Sequence, residues 1–173
     1  MRTLLPDPPP AGVEELLERR RRLGQDGNDE VWEGVLHVVP APSGEHADIT
    51  QQLAEILGAR ARAVGLFPTM GVFNLGEAGA DYRVPDGGLH RTRPRGVWLP
   101  TAALVVEILS PGDETWEKLP FYAAHDVEEV LICDPQTHRV HWLTQTEGGY
   151  APTERSALID LGPAELARLI DWP

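Results

Sequence analysis

The stretch Thr101–Leu109, TAALVVEIL, constrains this chain more than any other part of it. A nearly unbroken apolar run of that length reads as a strand buried on both faces, and such strands sit inside sheets covered by helices. Glu107 interrupts the run. An unpaired carboxylate there would cost on the order of several kcal/mol, so something must compensate it. An arginine partner, a raised pKa or a bound metal ion would each do so, and the sequence leaves all three open.

The elements around this strand are mixed. Val13, Leu16, Leu17 and Leu23 share a helical face over Gly12–Leu23. Glu30–Val39 reads as a strand or a hairpin bent at Gly34 and ended by Pro40 and Pro42. From His46, helical spacing runs through Ile49, Leu53, Ile56, Leu57 and Val64, with Gly65 in the C-terminal cap position. Leu66–Leu75 and Asp81–Arg91 read as two strands around a glycine-rich turn at Gly76–Gly79. A short helix over Pro120–His125, strands at Glu129–Cys133 and Val140–Thr144, and a final helix over Pro163–Ile170 complete the order. The expected class is therefore α/β (α+β), a mixed β-sheet flanked by helices. A proline-rich lead, residues 1–12, would precede a single domain over residues 13–173. Leu16, Ile49, Leu53, Ile56, Val105, Val106, Ile108 and Leu131 are the expected core.

Composition excludes several classes. An apolar share of 42% is too high for a disordered chain, and no run is long enough to span a membrane. The start lacks the pattern of a signal peptide, and Cys133 is the sole cysteine, so a reducing cytoplasm is the expected setting. A net charge of −12 argues against non-specific coating of nucleic acid. Charge beyond a Debye length of ~8 Å is screened, however, so local patches decide. Residues 107–134 hold eight acids against Lys118 alone. Two runs are basic: Arg19–Arg22, which reads as solvated surface, and Arg91, Arg93 and Arg95, candidates for nucleic-acid contact.

Two further residues join Glu107. Asp86 lies in Val84-Pro85-Asp86-Gly87, a turn signal taken alone. A strand ending near Asp86 and a central strand bearing Glu107 would nevertheless bring both carboxylates to one sheet edge, where hard oxygen ligands suit Mg²⁺ or Mn²⁺. Lys118 stands out because the other fourteen of the fifteen basic residues are arginine. Its amine is a compact point charge whose pKa can fall far enough for proton transfer, unlike a guanidinium.

Asp86, the stretch Val105 to Pro111, Lys118-Leu119-Pro120-Phe121-Tyr122 and Val127-Glu128-Glu129-Val130 to Asp134-Pro135 together resemble the Uma-type restriction endonucleases of the PD-(D/E)XK nuclease superfamily. Trp32-Glu33-Gly34-Val35-Leu36 with Pro40 and His46 resembles the amino-terminal signature of that family, and Ile159-Asp160-Leu161 fits its end. The resemblance spans roughly residues 13–172. It implies a restriction-endonuclease-like sheet, Asp86 and Glu107 as metal ligands, the carbonyl of Ile108 as a third, and Lys118 orienting or deprotonating the attacking water. Leu109 holds the place of the usual superfamily lysine, so Lys118 would substitute from the next helix. Pro120 should keep Leu119 out of helical geometry and leave Lys118 just ahead of that helix. Gly87 and Gly88 replace the apolar residues expected after the Pro-Asp pair. His46, Glu30 and Glu33 are auxiliary candidates. The implied activity is divalent-metal-dependent cleavage of DNA, by a homodimer or higher homo-oligomer on the analogy that two strands need two sites. The alternatives are a non-catalytic relative that uses the fold for binding or assembly, and a hydrolase of a small phosphoester.

Overall fold

The computed structural model describes residues 12–173 and the backbone of residues 3–5. Most of the proline-rich lead, residues 1–2 and 6–11, lies outside the described residues. The elements run β1 (Thr3–Leu5), α1 (Val13–Arg22), β2 (Glu30–Trp32), β3 (Val35–Val38), α2 (Gly44–Ala63), β4 (Phe67–Met70), β5 (Asn74–Glu77), β6 (Asp81–Arg83), β7 (Gly87–His90), β8 (Trp98–Leu99) and β9 (Leu104–Ile108). A 3₁₀ turn (Thr115–Lys118) leads into α3 (Leu119–Ala124), followed by β10 (Glu129–Asp134), β11 (Arg139–Thr146), β12 (Gly149–Pro152) and α4 (Pro163–Leu169).

These strands form two sheets. The first has the order β1-β3-β2-β6-β5-β8 and the second β12-β11-β10-β9-β7-β4. The expected mixed α/β architecture is present, with β9 at the centre of the second sheet, parallel to β10 and antiparallel to β7. All five residues of β9 are buried, as its composition requires. Period-two alternation splits them between two cores. Leu104, Val106 and Ile108 face the side covered by Ile49, Leu53 and Leu57 of α2. Val105 packs on the other side with Phe121 and Tyr122 of α3. Glu107 shares the parity of Val105 and therefore points toward α3.

The expected strands Leu66–Leu75 and Asp81–Arg91 are each broken in two. β4 and β7 pair in the second sheet, whereas β5 and β6 pair in the first. The chain leaves one sheet after Met70 and returns through Val84-Pro85-Asp86. Proline cannot donate to a ladder, so the break falls where the sequence put it. Asp86 accordingly heads a strand rather than ending one. Gly88 has a packing reason: a Cβ there would lie 2.9 Å from the Leu104 carbonyl and 2.9 Å from Phe73. The β2–β3 connection is a two-residue turn with Glu33 at φ 49° and Gly34 at φ 84°, the backbone signs of a type I′ hairpin.

Three expectations fail locally. Leu16 is 57% exposed and Leu17 is the buried residue of α1; Ile56 is only partly buried. Leu119 is helical (φ −56°, ψ −42°) despite preceding Pro120, which lies in the first turn of α3, where its missing N–H costs no hydrogen bond. Lys118 still stands just ahead of α3, as its N-cap. β1, β8 and β12 were not expected at all.

The assignment of faces is open to measurement. Leu53→Ala or Val106→Ala should destabilise by ~2–4 kcal/mol in denaturant unfolding, while Leu16→Ala should stay within about 0.5 kcal/mol. Similar losses at Leu16 and Leu53 would mean that α1 presents the wrong face.

Candidate active site

A cleft of about 570 Å³ opens where the start of α2, the junction before β7, the end of β9 and the loop 110–113 meet. Glu30, His46, Asp86, Glu107, Ile108 and Lys118 all line it. Five residues singled out on sequence grounds, with Ile108, thus come together from five different elements or junctions.

Asp86 is fixed by its backbone and its side chain together. Its N–H donates to the Val106 carbonyl (3.0 Å), its carbonyl accepts from Gly71 N (3.0 Å), and its Oδ2 accepts from Ile108 N (2.8 Å). Oδ1 shares a hydrogen bond with His46 Nε2 at 2.9 Å. His46 is in the first turn of α2 and donates its backbone N–H to Ser43 Oγ, 3.2 Å away. Ser43 is therefore the cap of α2, and the imidazole is left for the cleft. Burial pushes the His46 pKa down, but the hydrogen bond and charge of Asp86, with Glu107 and Asp113 behind it, outweigh burial and raise it.

Glu107 is buried among donors. Lys118 Nζ lies 3.0 and 3.2 Å from its two oxygens, and the Tyr122 hydroxyl donates to Oε1. The same ammonium is 2.9 Å from Oε1 of Glu30. Glu30 also accepts from Val84 N (2.9 Å) and Trp32 Nε1 (2.7 Å). The compensation that Glu107 demands is thus supplied by a lysine and a tyrosine, not an arginine. Burial raises the Glu107 pKa, Lys118 pulls it back, Asp86 and Glu30 push it up again and Tyr122 pulls it down, leaving it above the usual carboxylate value.

Lys118 lies between two buried carboxylates. Burial alone would lower its pKa, but Glu107 and Glu30 together raise it above the usual lysine value. Both carboxylates favour the charged form of the amine. Tyr122 is not among the sequence candidates, because a tyrosine in a core helix reads as packing. Its signal was the four-residue spacing from Lys118, which puts both on one helical face.

The remaining candidates lie elsewhere. Glu33 is exposed at the β2–β3 turn. Arg91, Arg93 and Arg95 follow the far end of β7 from Asp86. Arg91 is bound to both oxygens of Glu128 at 2.6 Å, and Arg93 lies over the Phe67 ring at 5.1 Å.

Among the described residues, no group of three or more His, Cys, Asp and Glu side chains is arranged to hold a metal unaided. What the cleft offers is the pair Asp86 and Glu107 with the Ile108 backbone.

A family model described as "Putative restriction endonuclease", Uma2, matches residues 13–167 of the chain. The chain belongs to the Uma2 family. A solved structure titled as a putative nuclease belonging to DUF820, from Anabaena variabilis, shares the fold with a TM-score of 0.65 at 17% identity, covering 92% of this chain and 99% of that one. No curated protein matches the sequence. No helix among the described residues is long and apolar enough to cross a membrane.

In this Uma2 chain the Glu30–Lys118–Glu107 array should dominate local stability. Lys118→Met strands two buried carboxylates and should cost ~3–5 kcal/mol, the range for breaking a buried pair from one side. Adding Glu107→Gln removes one of the stranded charges and should recover part of that loss. A double-mutant cycle in urea that shows strict additivity would mean the two side chains do not interact.

Proposed function

We propose that this chain is a divalent-metal-dependent phosphodiesterase that acts on DNA, with Asp86 and Glu107 as metal ligands and Lys118 as the fixed cation of the site. The observation that carries the reading is the convergence of these three side chains, from separate elements, on one cleft.

The donor chemistry fits a hard divalent ion. Glu30, Asp86 and Glu107 share the cleft with one ammonium, so negative charge is in surplus. The upward push of Asp86 and Glu30 on Glu107 expresses that surplus. Mg²⁺ keeps several waters and needs only one or two carboxylates, so Asp86, Glu107 and the Ile108 carbonyl suffice. When bound, Mg²⁺ or Mn²⁺ supplies Lewis-acid stabilisation of the charge that grows on the phosphoryl oxygens.

The chain's own residues do the rest. Ile108 N–H and His46 hold the Asp86 carboxylate in one orientation. Tyr122 and Lys118 do the same for Glu107. The Lys118 ammonium stays charged and offsets charge growing on the phosphate, a contribution available without reorganisation because Glu30 and Glu107 already fix it. His46, with one ring nitrogen on Asp86, positions that ligand.

Binding without catalysis is the second reading, and one observation favours it. Both Glu107 oxygens already accept hydrogen bonds from this chain. Isosteric variants separate the two. With Mg²⁺ or Mn²⁺, the wild type should nick plasmid DNA and hydrolyse a small phosphodiester, and Asp86→Asn or Glu107→Gln should each lose at least ~100-fold. Lys118→Arg is a poorer probe, since a guanidinium overfills the space between Glu30 and Glu107 and tests packing as well as chemistry. Wild-type protein that binds metal yet cleaves neither substrate would favour the binding reading. Cleavage of the small diester alone would favour a small phosphoester as substrate.

A further inference from the structure

We infer that the exposed arginines at the C-terminal end of α1, namely Arg19, Arg21 and Arg22, grip the phosphate backbone of a nucleic-acid strand whose scissile phosphate lies in the cleft. This rests on the phosphodiesterase reading above and adds to it the surface that holds the polymer.

The position of the helix end carries the inference. Arg20 pins it: its guanidinium donates to Gln25 O (2.6 Å), Asp29 Oδ1 (2.8 Å) and Val39 O (3.4 Å). Asn28, Val39 and Pro40 form the adjoining wall of the cleft. One arginine of the run is therefore spent on anchoring the helix against the rim. The other three are exposed, and none has an ion-pair partner among the described residues. Last-turn arginines also suit the helix dipole, but that effect needs no neighbouring cleft.

Charge supplies the second argument. The cleft floor is acidic, with Glu30, Asp86 and Glu107 against Lys118, so phosphates flanking the reacting one must be held by cations at the rim. The other basic run cannot serve this end of the sheet. Arg91–Arg95 lie at the opposite end of β7 from Asp86, and Arg91 is occupied by Glu128. The helix end that carries this run is the one Arg20 holds beside the cleft wall at Val39.

The test is fluorescence anisotropy of the full chain with labelled 20-nucleotide single strands and duplexes, in Ca²⁺ and across 50–200 mM salt. R19Q/R21Q/R22Q should weaken binding at least ~10-fold at the lowest salt. It should also flatten the plot of log K against log salt by about 2–3, at about 0.7–0.9 per phosphate contact. R19K/R21K/R22K, which keeps the point charges, should retain most of the affinity. Circular dichroism checks folding; if the triple glutamine variant unfolds, each single substitution should flatten the slope by up to about 0.9. Triple-variant binding equal to wild type, or a loss that appears instead in R93Q/R95Q, overturns the inference and leaves the proposed chemistry standing. A wild type that hydrolyses a small phosphodiester yet binds neither DNA overturns this inference and DNA as the substrate together.

Discussion

The ammonium of Lys118 lies between two carboxylates that belong to different sheets, Glu30 on β2 of the first and Glu107 on β9 of the second. Placing three ionised groups out of water costs several kcal/mol per ion in order of magnitude, and mutual attraction offsets it only when the remaining lone pairs are also satisfied. Here they are: Trp32 and Val84 N serve Glu30, and Tyr122 serves Glu107. The array therefore fixes how the two sheets and α3 sit together. It also explains the single lysine of the chain. Each carboxylate oxygen within reach is 2.9–3.2 Å from one nitrogen, a geometry a compact three-donor ammonium satisfies and a planar guanidinium does not.

The exchange of chain between sheets builds the other half of the site. Between β4 and β5 the backbone crosses from the second sheet to the first, and between β6 and β7 it returns. The return segment must change direction, which Pro85 permits, and its first residue back in register is Asp86. Three hydrogen bonds to Gly71, Val106 and Ile108 lock that residue against both neighbouring strands before its side chain meets His46. Asp86 is placed so firmly because it closes the crossover, and the crossover lies over the end of β9 that carries Glu107. Fold and site share one constraint.

This explains what was legible in the sequence. β9 was legible because burial on both faces leaves only one reading of its composition, and Glu107 because a charge there had to be answered. Lys118 was legible by its singularity. The broken strands were not, since a local pattern of apolar residues looks the same whether a strand continues in its sheet or hands over to another. Gly71 and Pro85 marked the breaks, but each also fits a simple turn. Leu16 and Leu17 were ambiguous for a different reason: adjacent helical residues point about 100° apart, and a four-residue apolar pattern fits two faces almost equally. Tyr122 was hidden because its ring packs like any core residue while its hydroxyl does separate work.

Net charge is the remaining sequence signal, and the structure changes its meaning. Of the acids in residues 107–134, Glu107 is neutralised within the array and Glu128 by Arg91. Glu129 accepts from Trp142 Nε1, Ser156 Oγ and Ala157 N. Asp134 caps the turn at Gln136–Thr137, and Asp113 accepts from Ser110 N and Thr115 Oγ1. Glu107 and Glu128 thus meet cations, whereas Glu129, Asp134 and Asp113 are structural acceptors that keep their charge. Charge beyond a Debye length of ~8 Å is screened, so the groups lining the cleft, rather than the total of −12, decide what a polyanion meets there. At the cleft, Glu30, Asp86 and Glu107 share the Lys118 ammonium and the His46 imidazole, and Arg20 anchors the end of α1 beside the Val39 wall. On the function proposed above, a phosphate chain would be held by its flanks, and Asp86 and Glu107 would hold the divalent ion that offsets charge on the reacting phosphate.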